Sequence, residues 1–390
     1  MACIEPRSPA TIPPESRNGA AVKRDALAPD GLYRPHYRRT PSMRSPHYVQ
    51  LSAAAAITLG LIPGRMHRCA CTHCLNLLLT YPEGCRANCA YCGLARHREA
   101  ETNYADRNFI RVDWPAIALD EVIGRVADNA ASPFQRMCIS MITHPDSDAD
   151  TATVLQRWTA RIPRARIPVS ILSNPTTMSR TDVQQLHDLG ADIFTVALDA
   201  CTPEIFDRTR GKGVGSPHRW DRYWEIFHHA RAIFGPQRIG MHLIVGMGES
   251  DLDVLSLCAQ LHAAGGHSHL FCFQPERGSL MDHVPPPPRS RWRRLQLARY
   301  LLEYRDLPFE ALEFDAAGAL LGLGLDDTAL DPIIASGLPF RTSGCPGRER
   351  PDLSACDRPY GDSPPSDIAS YPFAPNGNDL RRIRRQLAQP

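Results

Sequence analysis

The chain has 390 residues, enough for one large domain or for a core domain with appendages. Its 44 Lys and Arg nearly balance 42 Asp and Glu, so no global charge marks it as a nucleic-acid binder. Thirteen cysteines, an odd number with no apolar leader before them, fit reduced thiols in the cytoplasm better than a secreted disulfide scaffold.

Residues 1–48 contain eight prolines and eight Lys or Arg against four Asp or Glu, and are read as a disordered extension, with Met43 as an alternative start. The run LSAAAAITLGLIPG (51–64) is too short and too rich in Ala and Gly to cross a bilayer; residues 51–60 predict a short helix. From position 75 apolar, β-rich runs alternate with stretches long enough for crossover helices. The runs are NLLLTYP (76–82), RMCISMI (136–142), PVSILS (168–173), DIFTVALD (192–199), RIGMHLIV (238–245) and SHLFCF (268–273). Between two of them TDVQQLHDLGA (181–191) predicts a helix with Leu186 and Leu189 on one face, stopping at Gly190. Six strands with such connections imply a parallel α/β sheet, and the array matches a partial (βα)6 TIM-type barrel over residues 49–283. Residues 284–390 form a C-terminal extension: a proline hinge and basic helix (284–305), a strand–turn–strand unit (309–325), a helix (326–337) and a loop-like tail with Cys345 and Cys356.

The densest chemical signal is GCRANCAYCGLAR (84–96), directly after the first predicted strand. Cys85, Cys89 and Cys92 stand in the spacing C-x-x-x-C-x-x-C, so their thiolates can converge on one metal centre. Three ligands to a four-iron cubane leave one iron open for a chelating small molecule, and an open cluster implies oxygen sensitivity. The alternative is a zinc knuckle, because Cys69, Cys71, Cys74, His67 and His73 lie just upstream. With Tyr91 before the third cysteine, the loop resembles the radical S-adenosyl-L-methionine (SAM) superfamily. That resemblance implies a 4Fe–4S cluster on Cys85, Cys89 and Cys92, SAM on its open iron, and a 5′-deoxyadenosyl radical formed by one-electron cleavage of SAM.

Barrel ligands sit at the C-terminal ends of strands, which makes the other strand ends candidates for holding SAM. SNPTT (173–177) offers Ser173 and Asn174, and VALDA (196–200) offers Asp199 for the ribose hydroxyls. Arg210 is a candidate partner for the SAM carboxylate, or half of a structural ion pair. HLIVGMGES (242–250) brings His242 and the order I-x-G-x-x-E at Ile244, Gly246 and Glu249, resembling the fifth-strand element that packs the adenine. Where many family members carry a Gly-Gly-Glu-like element, this chain has MITHPDSD (141–148), leaving His144 or Asp146 as the replacement.

Cys138, Cys201, Cys258 and Cys272 read as small buried residues, whereas Cys345 and Cys356 lie in a polar, Pro/Gly-rich tail where ligation explains more than burial. With Cys74 and Ser343 they form a candidate set for a second, auxiliary 4Fe–4S cluster. The segments 76–96, 108–115, 138–145, 197–227 and 341–347 together resemble the two-protein lipoyl synthases. In that family two paralogous radical SAM subunits insert sulfur at C6 and C8 of a protein-bound octanoyl chain, with an auxiliary cluster in each. The resemblance implies a sulfurtransferase of lipoate biosynthesis whose partners are an octanoylated carrier protein or lipoyl domain, a paralogous subunit and an electron donor. Arg291, Arg293, Arg294 and RRIRR (381–385) are candidate contacts for an acidic carrier. The competing readings are a biotin-synthase-like or other radical SAM enzyme with a small-molecule substrate, and a zinc-stabilised binding protein without catalysis.

Overall fold

The computed structural model describes residues 43–98, 112–348 and 353–389. Residues 1–42 lie outside this set, and most of the extension read as disordered falls there. Its last residues do not fit that reading. Ser45 is buried, its backbone N–H donates to Thr80 O at 2.8 Å, and Tyr48 already belongs to a strand.

Six parallel strands carry the barrel: β2 (Cys74–Leu79), β4 (Arg136–Ser140), β5 (Val169–Ser173), β6 (Ala191–Asp199), β7 (Ile239–Val245) and β8 (His267–Cys272). They match the six predicted runs within a few residues. Two short strands unforeseen in the sequence, β1 (Tyr48–Leu51) and β3 (Ala116–Ala118), extend the sheet antiparallel beside β2, giving the order β3-β1-β2-β4-β5-β6-β7-β8. The parallel strands are joined through α2 (Leu119–Asp128), α3 (Ser147–Thr159), α4 (Arg180–Asp188), α5 (Pro203–Thr209), α6 (Trp220–Phe234) and α7 (Asp251–Ala263). Capping boxes start two of them. In α4 Ser179 pairs with Asp182, and in α7 Ser250 pairs with Asp253, which satisfies the free N–H groups of the first turn. In α4 the buried pair is Val183 and Leu186, a turn apart, with Leu189 only half-buried at the C-cap. The predicted short helix is α1 (Ala53–Thr58).

Every barrel strand is buried on both faces, yet the faces differ in chemistry. Side chains alternate along a strand, so one parity points toward the helices and the other toward the lumen. Leu75, Leu77, Met137, Ile139, Val169, Ile171, Met241 and Leu243 join the large aliphatic core beneath the helices. The opposite parity supplies Cys74, Asn76, Arg136, Cys138, Ser170, His242 and His269, which line the interior. Arg136 is held there by three donations: to Asp192 at 2.8 Å, Ser170 Oγ at 3.0 Å and Pro346 O at 2.7 Å. Burial alone would raise the Asp192 carboxyl, but Arg136, Arg238 and Arg164 outweigh it and hold it below its ordinary value.

The C-terminal extension packs onto this barrel through α8 (Arg289–Tyr304), the hairpin β9 (Glu313–Phe314) and β10 (Leu320–Gly322), and α9 (Asp327–Ser336). The tail expected as loop contains one more helix, α10 (Gly377–Leu387), capped by Asn376. Its buried Ile383 joins Leu297 and Leu301 of α8 with Phe340 and Tyr371 in a second apolar cluster. Arg293 is fully buried, donating to Gln386 Oε1 at 2.9 Å and Ile368 O at 2.6 Å, and burial pulls its guanidinium down to about 10. These contacts clamp the tail that bears Cys345 and Cys356. Ile383→Ala therefore costs about 2–5 kcal/mol of stability, as cavity formation at a buried site does. Denaturant unfolding of the variant checks this, and an unchanged midpoint would show that α10 does not hold the tail.

Candidate active site

The loop after β2 takes its shape from backbone hydrogen bonds. Arg86 N donates to Thr143 O at 2.8 Å, Ala90 N to Thr209 O at 2.7 Å, and Met281 N to Ala90 O at 3.0 Å. Asn88 adds Nδ2 to Val214 O at 2.9 Å and receives its own anchor from N to Ser216 Oγ at 2.7 Å. The loop is thus tied to three neighbouring segments. It presents Cys85, Cys89 and Cys92 together at one cavity of about 150 Å³. Burial pushes the Cys89 thiol up to about 11, partly offset by Arg210, and pushes Cys92 well above its ordinary value. As free thiols Cys89 and Cys92 are held neutral, so a metal that binds them must displace their protons.

The same cavity is walled by an interlocked polar network. Tyr91 OH donates to Asp199 Oδ2 at 2.5 Å, and Arg210 is ion-paired with the same carboxylate while donating to Tyr91 OH at 2.6 Å. Arg210 Nη2 donates to Tyr223 OH at 3.0 Å, Tyr223 OH to Asn174 Oδ1 at 3.0 Å, and Asn174 Nδ2 to Thr143 Oγ1 at 2.6 Å. Asp199 sits at the end of β6 with φ of 66°, a left-handed conformation that turns its carboxylate toward the loop. Burial would lower the Arg210 guanidinium, but Tyr223, Tyr91 and Asp199 overcome it and hold it firmly charged. Two buried nitrogens of this wall, Arg210 Nε and His218 Nε2, have no hydrogen-bond partner among the described residues. A zwitterionic amino-acid head group with a carboxylate fits such a wall, and the three thiols fit a cluster beside it.

Not every predicted residue is there. Ser173 Oγ donates to Thr195 O at 2.8 Å and lies outside the cavity lining. Gly246, with φ of 118°, makes room for the proline segment: a Cβ would meet Pro287 Cδ at 2.8 Å and Phe273 Cβ at 3.0 Å. Glu249 caps that turn by accepting from Gly246 N at 2.7 Å and Met247 N at 2.9 Å, and it pairs with Arg291 at 3.2 Å. In this strand-end element only His242 and Ile244 reach the cavity. His144 stacks on Tyr81, rings 3.7 Å apart, and Asp146 pairs with Arg44 at 2.6 Å, so Met141, Ile142 and Thr143 are the residues of that segment that face the site. Thr143, His218 and Tyr223 carried no spacing signal; they meet only because the segment after β4 converges with the start of α6.

A second cavity of about 50 Å³ adjoins the first, and Leu172, His242, Phe271 and Gly361 line both. Cys74 of β2, Cys138 of β4, and Cys345 and Cys356 of the tail all line it. Cys138, expected to be an ordinary buried residue, belongs to this group. Ser343 does not: its hydroxyl accepts from Leu270 N at 2.8 Å and is committed to β8. A hydrogen bond from Cys74 is the chief cause that brings the Cys356 thiol down to about 7, with Arg358 and Asn76 assisting against burial. His73 Nδ1 lies 2.6 Å from Asp357, and Tyr360 OH donates to His67 O at 2.7 Å, so the upstream His residues fasten the tail over the cavity. Cys69 and Cys71 are exposed. Among the described residues no three His, Cys, Asp or Glu side chains crowd onto one point as a single metal ion with bonds of about 2.3 Å requires. The basic residues offered for carrier docking are mostly committed internally: Arg291 to Asp251 at 2.6 Å, Arg382 to Asp367 at 2.9 Å, Arg384 to Asp331 at 2.5 Å, and Arg293 as above.

Residues 79–261 match the family model of the Radical SAM superfamily. That span carries a radical SAM core. Its cysteine loop and the polar wall opposite fall inside the matched span. The chain is also similar in structure to methylornithine synthase (PylB), at 14% identity over 59% of this chain and 60% of that chain, with a TM-score of 0.42. The FeFe-hydrogenase maturase HydG from Carboxydothermus hydrogenoformans gives 16% identity over 64% and 55%, TM-score 0.43. Coproporphyrinogen III oxidase (HemN) from Escherichia coli gives 14% over 56% and 50%, TM-score 0.36. This chain thus spans about three fifths or less of the length of each of these structures, and no curated protein matches it. No helix of the described residues is long and apolar enough to cross a membrane.

Arg210→Gln tests the wall. It leaves Asp199 buried without its cation, a loss of about 3–5 kcal/mol for a broken buried pair. The expected result is a lowered thermal midpoint together with loss of the SAM-induced change in the reduced cluster's electron paramagnetic resonance (EPR) spectrum. Retention of that spectral change would remove Arg210 from SAM binding.

Proposed function

We propose that this radical SAM protein inserts sulfur, acting as one of two paralogous lipoyl synthase components that convert protein-bound octanoyl-lysine to lipoyl-lysine. One observation carries the reading. The cavity ringed by Cys74, Cys138, Cys345 and Cys356 shares its wall with the cavity under the Cys85 loop. An auxiliary 4Fe–4S cluster held by those thiols would stand beside the place where a substrate carbon is activated, as a sulfide source. The cluster on Cys85, Cys89 and Cys92 with SAM, when bound, supplies one-electron SAM cleavage and hydrogen abstraction from an unactivated carbon.

The chain's own residues supply the rest. Met141, Ile142, Leu172, Ala197, Ile244 and Phe271 give the first cavity an apolar wall, suited to an alkyl chain and to excluding water. Asp199, Arg210 and Asn174 hold the polar co-substrate on the other side, so the reacting carbon is confined between them. Arg358, over the Phe271 ring at 3.5 Å, and the neutral His242 add fixed polarity where the two cavities meet. Cys345 and Cys356 come from outside the barrel strands, which favours this reading over a biotin-synthase-like one, although Cys74 and Cys138 stand on strands. The octanoylated carrier, the paralogous subunit and the electron donor belong to the same proposal.

Anaerobic reconstitution followed by iron and sulfide analysis tests it. Wild type is expected to hold about eight irons and the Cys85/Cys89/Cys92 triple alanine variant about four, as two cubanes require. Cys138→Ala combined with Cys356→Ala is expected to remove the other four and to abolish sulfur transfer to an octanoyl-lysine peptide supplied with the partner subunit, while SAM cleavage persists. A triple variant without iron would leave no auxiliary cluster, and the sulfur-insertion reading would fall.

A further inference from the structure

His218 stands just before α6. Its ring is 3% exposed and lines the first cavity. Thr176 Oγ1 lies 2.5 Å from Nδ1, and Tyr223 OH lies 3.0 Å from the same nitrogen. Tyr223 is already engaged, accepting from Arg210 Nη2 and donating to Asn174 Oδ1, so Thr176 is the hydroxyl free to donate to Nδ1. Burial and the nearby Arg210 keep the imidazole neutral, with a single ring proton. With Nδ1 accepting, that proton sits on Nε2. There it is buried and has no acceptor among the described residues.

An N–H so placed costs free energy unless something accepts from it. Arg210 Nε is in the same condition on the same wall, on the other side of the Tyr223 hydroxyl. Two unpaired donors, one charged and one neutral, around one cavity call for an anionic acceptor with two oxygens. We infer that His218 donates through Nε2 to the carboxylate of bound SAM, sharing that carboxylate with Arg210, and that Thr176 is the positioning residue that fixes the required tautomer. The inference rests on the radical SAM core and not on the identity of the acyl substrate.

The test uses the reconstituted, reduced protein with EPR titration of the cluster by SAM, and competition by decarboxylated SAM as the probe lacking the carboxylate. For His218→Ala the SAM dissociation constant should rise about tenfold or more, the loss of a hydrogen bond to a charged group. The competition constant of decarboxylated SAM should stay within about twofold of wild type. His218→Gln, which keeps an N–H donor, should recover most of the SAM affinity, and Thr176→Val should weaken SAM by a smaller factor while also sparing the decarboxylated probe. Equal weakening of both ligands by His218→Ala, or unchanged SAM affinity in that variant, overturns the inference. Iron content is measured in each variant. If His218→Ala does not hold its cluster, the glutamine and Thr176→Val variants decide, and loss of SAM affinity in His218→Gln as severe as for Arg210→Gln counts against a donated hydrogen bond. Failure of sulfur transfer in the assay of the preceding section leaves this result untouched.

Discussion

The structure depends on the two-residue alternation of six strands buried on both faces. Aliphatic side chains of one parity pack under the helices, and the other parity fills the lumen with thiols, imidazoles, amides and one guanidinium. Polar groups inside a barrel are costly unless each finds a partner, and most of these do. Arg136 is the clearest case, since its donations reach β5, β6 and the tail segment at Pro346 at once. The same constraint makes the few unpaired donors informative, because they stand where the protein alone cannot complete the hydrogen bonding.

The loop bearing Cys85, Cys89 and Cys92 is held by the segments after β4 and β6 and by residue 281, so its form is set by the barrel's C-terminal rim. Its Tyr91 then enters the ion pair of Arg210 with Asp199. One network therefore joins the cluster loop, the end of β6 and the start of α6. A buried ion pair is a weak source of net stability, but it fixes orientation strongly, since displacing either partner strands the other charge. In this protein that rigidity serves to hold a cavity open beside the thiols.

Much of the fold was legible in the sequence. The six strand runs, the crossover helices and the strand–turn–strand unit stand close to where their apolar patterns place them. The three cysteines were legible because metal ligation demands fixed local spacing. Strands β1 and β3 were not, being four and three residues long and defined only by their neighbours. The helix α10 was hidden because its basic run masked Leu380, Ile383 and Leu387, which repeat at helical intervals. Gly246 and Glu249 matched a binding pattern, yet a tight turn under a proline segment asks for the same glycine and the same carboxylate as a ligand site.

By itself the sequence determined the α/β class, the strand order along the chain, and the cluster loop, because each is written in short-range periodicity or spacing. Only the tertiary structure decided that Cys74, Cys138, Cys345 and Cys356 share one cavity, that Ser343 is turned away to β8, and that His218 and Thr143 line the other with Tyr223 hydrogen-bonded behind its wall. These groups come from segments far apart in the chain: Cys74 and Cys138 reach their cavity through strand parity and register, and the others through loops, a helix and a tail packed onto the barrel. A shift of one residue in any strand would turn its lumen side chains outward, and a single chain's sequence carries no local mark of that register.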